Sequence, residues 1–483
     1  MPSTVTAGEV RTREREVGPP AAAPRRHRRL TLALILTAAF MVVLDFSIVN
    51  VALASIEREF GFTASAAGWV VTGYAIAFGG LLILGGRAAD SFGRRRMFMT
   101  GLVIFTAASL AGGLAHDPVL LVTSRVVQGA GAALIAPSAL SLITTSFAEG
   151  PQRTRALGMY GATASVGFVA GQVLGGVLVE FTSWRAVFLV NVPVGILALL
   201  LAPRLLGESR LAGRAGRGLD IGGAVAITGA VAALVFAVSQ GYALGWSSPA
   251  VLGALALSAA AGLAFAAVER RHPEPLVPAG MARRPGLRKA STMNLLLGLW
   301  NAGELIVLSL YLQQVLHLSP LATGLAIAPQ GMVGFAAGAF GARLARRVGI
   351  RRVLILTSAV ATVGFLALTR LPAGGGYSPL LAAVMLVGFG TAGTAFGTMV
   401  TASAGVADGD QGLVGGMINT SRQVGAAIGA ALLPAVAEAV SHGSRAAAGG
   451  DRAAMLTAAL AAALATIVAW RSGRPGRPRL QHT

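Results

Sequence analysis

"GGRAADSFGRRR" (residues 85–96) and "GARLARRVGIRR" (341–352) are one short turn written twice. Each opens on a glycine, Gly85 or Gly341, carries basic residues around a turn, and returns to a second glycine, Gly93 or Gly349. Each also follows the second apolar run of a block of six such runs. A turn repeated at matching places in two blocks predicts a chain built from two related halves.

The runs themselves fix the solvent. Of 483 residues 54% are hydrophobic and only 12% charged, and the mean hydropathy is +0.70. A soluble protein is roughly a quarter charged. An apolar stretch of about 20 residues crosses about 30 Å of hydrocarbon as a helix, and about fourteen such stretches occur between residues 30 and 470. The 64 glycines and 6% aromatics fit helices packed backbone to backbone. The expected divisions are a disordered basic tail (1–29), a six-helix half (30–203), an inserted pair of helices with basic flanks (204–289), a second six-helix half (290–470) and a basic tail (471–483).

Net charge is +20, which in a soluble protein would point to nucleic acid. Here most of the 39 Lys+Arg fall in the tails and in every second loop. That asymmetry predicts both termini on the cytoplasmic side, with lipid headgroups rather than nucleic acid as the partner. The absence of cysteine excludes disulfides and cysteine-ligated metal or iron–sulfur sites. The six histidines fall in tails or loops, no metalloprotease or phosphate-loop sequence occurs, and no filter segment is visible. An enzyme, an ATP-driven pump and a channel are thereby disfavoured, and no metal is expected.

Several ordered stretches resemble signatures of the major facilitator superfamily. "GRAADSFGRRR" (86–96) is similar to its cytoplasmic signature and "LVTSRVVQGAGAA" (121–133) to its fourth-span signature. "GFVAGQVLGG" (167–176) resembles the fifth-span antiporter signature. "LDFSIVNVAL" (44–53), "WRAVFLVNVPVG" (184–195) and "LDIGG" (219–223) resemble marks of the fourteen-span drug:proton antiporter branch. The resemblance implies an all-α integral membrane fold of two six-helix halves plus two inserted helices. It also implies a cytoplasmic gate at Gly86, Asp90, Gly93, Arg94 and Arg95, and no cofactor beyond a proton gradient. The departures are Gln172 where the fifth-span signature has proline, Ser47 and Ala54 in the first span, Ala88 and Ser91 in the gate, and Arg346 at the place of Asp90 in the second copy.

Charges inside apolar spans are the sharpest residue-level signal, since each costs about 2.5–3.5 kcal/mol at mid-helix. Asp45, Arg125, Glu304 and Arg422 stand there. At about 1.5 Å of rise per residue the first three fall in one layer, on helices that the resemblance places around a central cavity. Asp45 is the first candidate for a proton carrier, against the alternative of a fixed ion pair with Arg125. Glu304 is the second candidate, or a partner for a cationic drug. Arg422 reads as a structural charge.

Gly167, Gly171, Gly175 and Gly176 offer a close helix crossing. Asn50, Gln128, Trp300, Asn301 and Met399 are candidates for contacts in the cavity. The expected activity is proton-coupled efflux of hydrophobic or cationic drugs by a monomer in a bacterial plasma membrane. The alternatives are a narrow exporter of one metabolite, an antibiotic or siderophore, and then a proton-coupled importer.

Overall fold

The structure is a computed structural model that describes residues 25–62, 67–147, 151–208, 221–271, 279–370, 377–406, 411–443 and 447–471. The outermost parts of both basic tails lie outside the described residues. Among those described there is no strand, and fourteen helices have at least 15 residues. They are α1 (Arg25–Phe60), α2 (Trp69–Phe92), α3 (Arg94–Gly113), α4 (Pro118–Ser146), α5 (Pro151–Phe181), α6 (Asn191–Leu205) and α7 (Ile221–Leu244). Then follow α8 (Pro249–Arg271), α9 (Pro285–Gln314), α10 (Pro320–Val348), α11 (Ile350–Leu368), α12 (Ser378–Ser403), α13 (Gln411–Gly443) and α14 (Ala447–Arg471). Eleven helical stretches among the described residues are long and apolar enough to cross a membrane, one of them, Ala186–Leu205, running through a short helix into α6, and Trp69–Leu82 within α2 and Val225–Val238 within α7 are shorter apolar stretches.

The repeated turn has a plain cause. Gly93 joins α2 to α3 at φ 108° and Gly349 joins α10 to α11 at φ 82°, conformations that L side chains rarely adopt. Helix starts are equally legible. Asp117 caps α4 by accepting from the Leu120 amide at 2.9 Å, and Ser319 caps α10 from Ala322 at 3.2 Å, each just ahead of a proline in the first turn.

Helices α1–α6 form one bundle and α9–α14 the other, with glycines setting the spacing within each. A Cβ on Gly425 or Gly429 of α13 would strike the backbone of Leu295 or Leu299 in α9. In the first bundle a Cβ on Gly129 of α4 would strike the Tyr74 carbonyl in α2. Hydrocarbon gives helices no hydrophobic reason to associate, so close backbone packing of this kind holds them together. The bundles meet along α5/α10, α2/α13 and α1/α9. The inserted α7 packs on both α2 and α13, straddling that seam, and α8 packs on α7.

One end of the molecule carries the joints α2–α3, α4–α5 and α10–α11 with their arginines, and is called here the basic end. At the opposite end Ser309 Oγ donates to the Asn50 carbonyl at 2.8 Å and Gln313 Nε2 to that of Val51 at 3.0 Å. Gln314 Nε2 donates to Glu57 Oε2 at 2.9 Å, and the Leu321 amide to Glu180 Oε2 at 2.9 Å. These bonds join the halves at the end away from the basic joints.

Candidate functional site: a buried carboxylate–guanidinium centre

Close packing of α2 on α4 at Gly129 and Tyr74 sets the register one turn earlier, where Arg125 Nε donates to the Val70 carbonyl at 2.8 Å. That places the guanidinium beside α1. Arg125 Nη1 reaches Asp45 Oδ2 at 2.6 Å, and both side chains are 0% exposed. Gln128, one turn along α4, accepts from Arg125 Nη1 at 2.5 Å and donates to Asp45 Oδ1 at 2.7 Å. Its amide also donates to Ser109 Oγ on α3 at 2.8 Å. Asn191, the first residue of α6, donates to Asp45 Oδ1 at 2.8 Å. The Tyr74 ring lies 4.5 Å from the Arg125 carbon and the Phe188 ring 5.7 Å, so aromatic faces cover the cation.

Five helices thus meet at this centre, three of them, α1, α4 and α6, at the carboxylate itself. Asp45 accepts from Arg125, Gln128 and Asn191, the arrangement in which a buried charge is tolerated. Arg125 Nη2 and the Tyr74 hydroxyl are buried without a partner. The centre can therefore hold an ion pair, and it has donors to spare should the carboxylate change its charge or position.

The second acid stands apart. Ser309 pairs with Asn50, which puts α1 and α9 in register, and Asp45 and Glu304 each lie five residues earlier on their helices. They share a level, yet Glu304 points into the second bundle. It is 0% exposed and its Oε2 accepts from Gln330 Nε2 of α10 at 3.1 Å. The structure brings Asp45, Arg125 and Gln128 together and leaves Glu304 in a separate site.

The remaining candidates fall in several places. Asn50 is buried at the α1/α9 seam. Trp300 is buried in the second bundle's core, with Nε1 on Thr391 Oγ1 at 3.1 Å and its ring against Phe365. Asn301 is half-buried, and Met399 is 43% exposed. Arg422 is exposed and donates to Asn419 at 3.2 Å. It stands eleven residues into α13, roughly 16 Å from the helix start at the basic end. One residue on, Gln423 packs against Gly79 of α2, so this charge stands beside the α2/α13 contact between the halves.

Gly167, Gly171 and Gly175 all face α1, where added Cβ atoms would meet Val43, Ser47 and Ile48. They seat α1 within its own half. Gly176 faces the other half, with a Cβ meeting Leu321 Cα and the Pro320 carbonyl at 2.7 Å. Gln172, at the proline position, is buried, and its Nε2 donates to the Ser47 carbonyl at 3.3 Å.

At the basic end Gly86 packs toward Pro137, and Gly93 is buried so that a Cβ would meet the Glu208 carboxylate. Glu208 follows α6 and accepts from the Arg95 amide at 3.3 Å, at the positive end of α3. It lies 3.8 Å from the guanidinium nitrogens of both Arg95 and Arg96. Arg94 is half-buried beside it. Asp90 lies on α2, and its side chain is outside the described residues.

Sequence reading missed Ser109, Asn191, Glu208 and Gln330. Asn191 lies inside "WRAVFLVNVPVG", so the stretch was singled out but not its asparagine. The same stretch grips α1 again near its end: Trp184 Nε1 donates to Glu59 Oε2 at 2.5 Å and Arg185 Nη2 to Oε1 at 2.7 Å.

Comparison with known proteins agrees with this architecture. Residues 35–430 match the Major Facilitator Superfamily. A cephamycin export protein of Amycolatopsis lactamdurans is 41% identical over 421 residues, 86% of each chain. A puromycin resistance protein of Streptomyces alboniger is also 41% identical, over 86% of this chain and 82% of its own. A methylenomycin A resistance protein of Streptomyces coelicolor is 31% identical over 98% of both. Among solved structures, a bacterial homologue of the human lysosomal transporter Spinster, inward-facing and unoccupied, superposes with TM-score 0.68 at 15% identity, over 92% of this chain and 97% of that one. That likeness concerns the fold. On the match over residues 35–430 and these relatives, the chain belongs to the major facilitator superfamily of membrane transporters, and not to an enzyme family.

Proposed function

We propose that the protein exports hydrophobic or cationic drugs, antibiotics among them, across a bacterial plasma membrane in exchange for protons. The observation that carries this reading is the buried Asp45–Arg125 pair in a chain whose similar relatives are named for antibiotic export or resistance. Asp45 is the proton carrier. A proton on its carboxyl cancels one of the two charges that hold α1 to α4, and the Arg125 guanidinium is then free to re-pair. The unpartnered Arg125 Nη2 supports that step. Glu304 is the second coupling acid, and Arg422 a structural charge beside the α2/α13 contact.

The basic end is the cytoplasmic face, following the arginine distribution. The halves are then closed outside and open inside, ready to take drug from the cytoplasm. Rocking about α5/α10 and α2/α13 would open the far side, and the turn around Gly86, Asp90, Gly93, Arg94 and Arg95, braced by Glu208, would close the near one. Asn50, Gln128, Asn301, Met399 and the neighbourhood of Trp300 are the places to seek drug contacts. No cofactor is invoked, since the proton gradient supplies the energy, and a monomer suffices.

A second reading, export of a single antibiotic, is favoured by the names of the 41% identical relatives, each of which mentions one compound class. One assay separates the two. Vesicles carrying the full chain receive a proton gradient, and the movement of ethidium and a panel of antibiotics is followed in wild type and Asp45→Asn. Gradient-driven movement of several compounds, lost in Asp45→Asn, supports multidrug antiport. Movement of one compound supports the narrow exporter, and movement that survives collapse of the gradient refutes proton coupling.

A further inference from the structure

The Glu304 site in the second half carries an unusual pattern of unmet hydrogen bonds. Gln330 Nε2 donates to Glu304 Oε2 at 3.1 Å. The other oxygen of each side chain, Glu304 Oε1 and Gln330 Oε1, is buried without a partner. Both are acceptors, so neither can satisfy the other. An unmet buried polar group costs about 1–3 kcal/mol, and more when charged. Reversing the Gln330 amide does not help, because it would set oxygen against carboxylate oxygen.

Among the described residues no cation is paired with this carboxylate. The helices around α9 bring few charges. Arg343, Arg346 and Arg347 lie in the last two turns of α10, at least thirteen residues past Gln330. The described part of α12 has no titratable residue. On α13, Arg422 has its guanidinium on Asn419, and Glu438 lies four turns further along. On α14, Asp451 and Arg452 stand near Tyr311, two turns from Glu304. On α1, Asp45 is already paired with Arg125, and Glu57, Arg58 and Glu59 sit at the helix end.

A single proton resolves the pattern. Bound to Glu304 Oε1, it turns an acceptor into a donor that Gln330 Oε1 can receive. The amide N–H to Oε2 then closes a two-bond ring of the kind a carboxylic acid forms with a primary amide. We propose that Glu304 and Gln330 form a second proton site, occupied in this conformation as a neutral acid–amide pair, with Gln330 as its positioning residue. The proton comes from hydronium, whose O–H bond breaks to leave water as the new O–H bond forms on a carboxylate lone pair, and it leaves by the reverse step. The molecule then holds two unlike acids at one level, one neutralised by a guanidinium in the first half and one by a proton in the second. That this proton takes part in export rests on the proton-coupled reading above; its presence does not.

Infrared difference spectra of the full chain in lipid vesicles at neutral pH test the proposal directly. Wild type minus Glu304→Gln should contain one carboxylic-acid C=O band, sensitive to exchange into D2O. Glu304→Gln should still fold, since an amide–amide pair makes the same ring. Gln330→Leu should keep the band but shift it upward, because the carbonyl loses its donor. Asp45→Asn should leave it in place. Absence of the band from the wild-type difference spectrum would overturn the proposal. Should Glu304→Gln not fold, Gln330→Leu decides, an unchanged band counting against the pair and a shifted one for it. A band present in a protein whose transport ignores the proton gradient would sink the export mechanism and leave the pair standing.

Discussion

At the residue scale the proposed proton coupling turns on how many donors one carboxylate keeps. Asp45 has three, one from a guanidinium and two from primary amides. Replacing Asn191 by Leu removes one amide and costs about 1–3 kcal/mol. Gradient-driven export should fall several-fold with a lowered Tm, and an unaltered transport rate would show that Asn191 only packs. Arg125→Lys retains the charge but not the fork. An ammonium cannot serve the Val70 carbonyl and Asp45 with the guanidinium's fixed geometry, so transport should be lost even where the protein inserts normally. Breaking a buried pair costs about 3–5 kcal/mol, which thermal melts of Arg125→Ala would register. The sequence exposed Asp45, Arg125 and Glu304, because a charge in an apolar run is visible without any partner. It hid Asn191 and Gln330, because an amide in an apolar helix is common and its partner lies far off in the chain.

At the element scale the glycines divide by what faces them. Gly429 meets the Leu299 backbone, which cannot move aside, whereas Gly158 and Gly161 of α5 meet nothing within 4 Å. Gly429→Ala should lower Tm through overpacking worth about 1–3 kcal/mol. Gly161→Ala should leave Tm unchanged or raise it, as a helical glycine gives up about 0.5–1 kcal/mol against alanine. Equal melting temperatures would remove the close-packing account of α9 on α13. The four-residue spacing of Gly167, Gly171 and Gly175 announced a tight crossing. Only the packed structure assigns that crossing to α1, and gives the contact between halves to Gly176, Gly324 and Gly331. A spacing defines a helix face, and many helices compete for each face.

At the scale of the whole molecule the halves are joined near Ser309 and Gln313, while Asn419 and Arg422 on α13 are exposed, and the proposed inward-open state has solvent reaching them. The absence of cysteine makes that directly measurable, since one introduced thiol has no background. A membrane-impermeant thiol reagent on the basic side should label Asn419→Cys rapidly and Ser309→Cys slowly. Energising the vesicles should speed the second and slow the first. Equal labelling of both in the resting protein would contradict the closed-and-open asymmetry.

Apolar length and repeated turns are local properties of the chain, so the membrane class, the two related halves and the inserted pair were legible before any packing was known. The sequence also singled out the residues whose charge is costly in hydrocarbon. Which of those charges meet depends on the packing of the helices. Asp45 finds Arg125 eighty residues away and Asn191 still further, through the Gly129 crossing that fixes the register of α2 on α4. Glu304, at the same level, turns into the other bundle and finds an amide instead of a cation. Depth along a helix follows from residue count, but the direction a side chain takes depends on how every neighbouring helix is rotated, and packing sets that rotation.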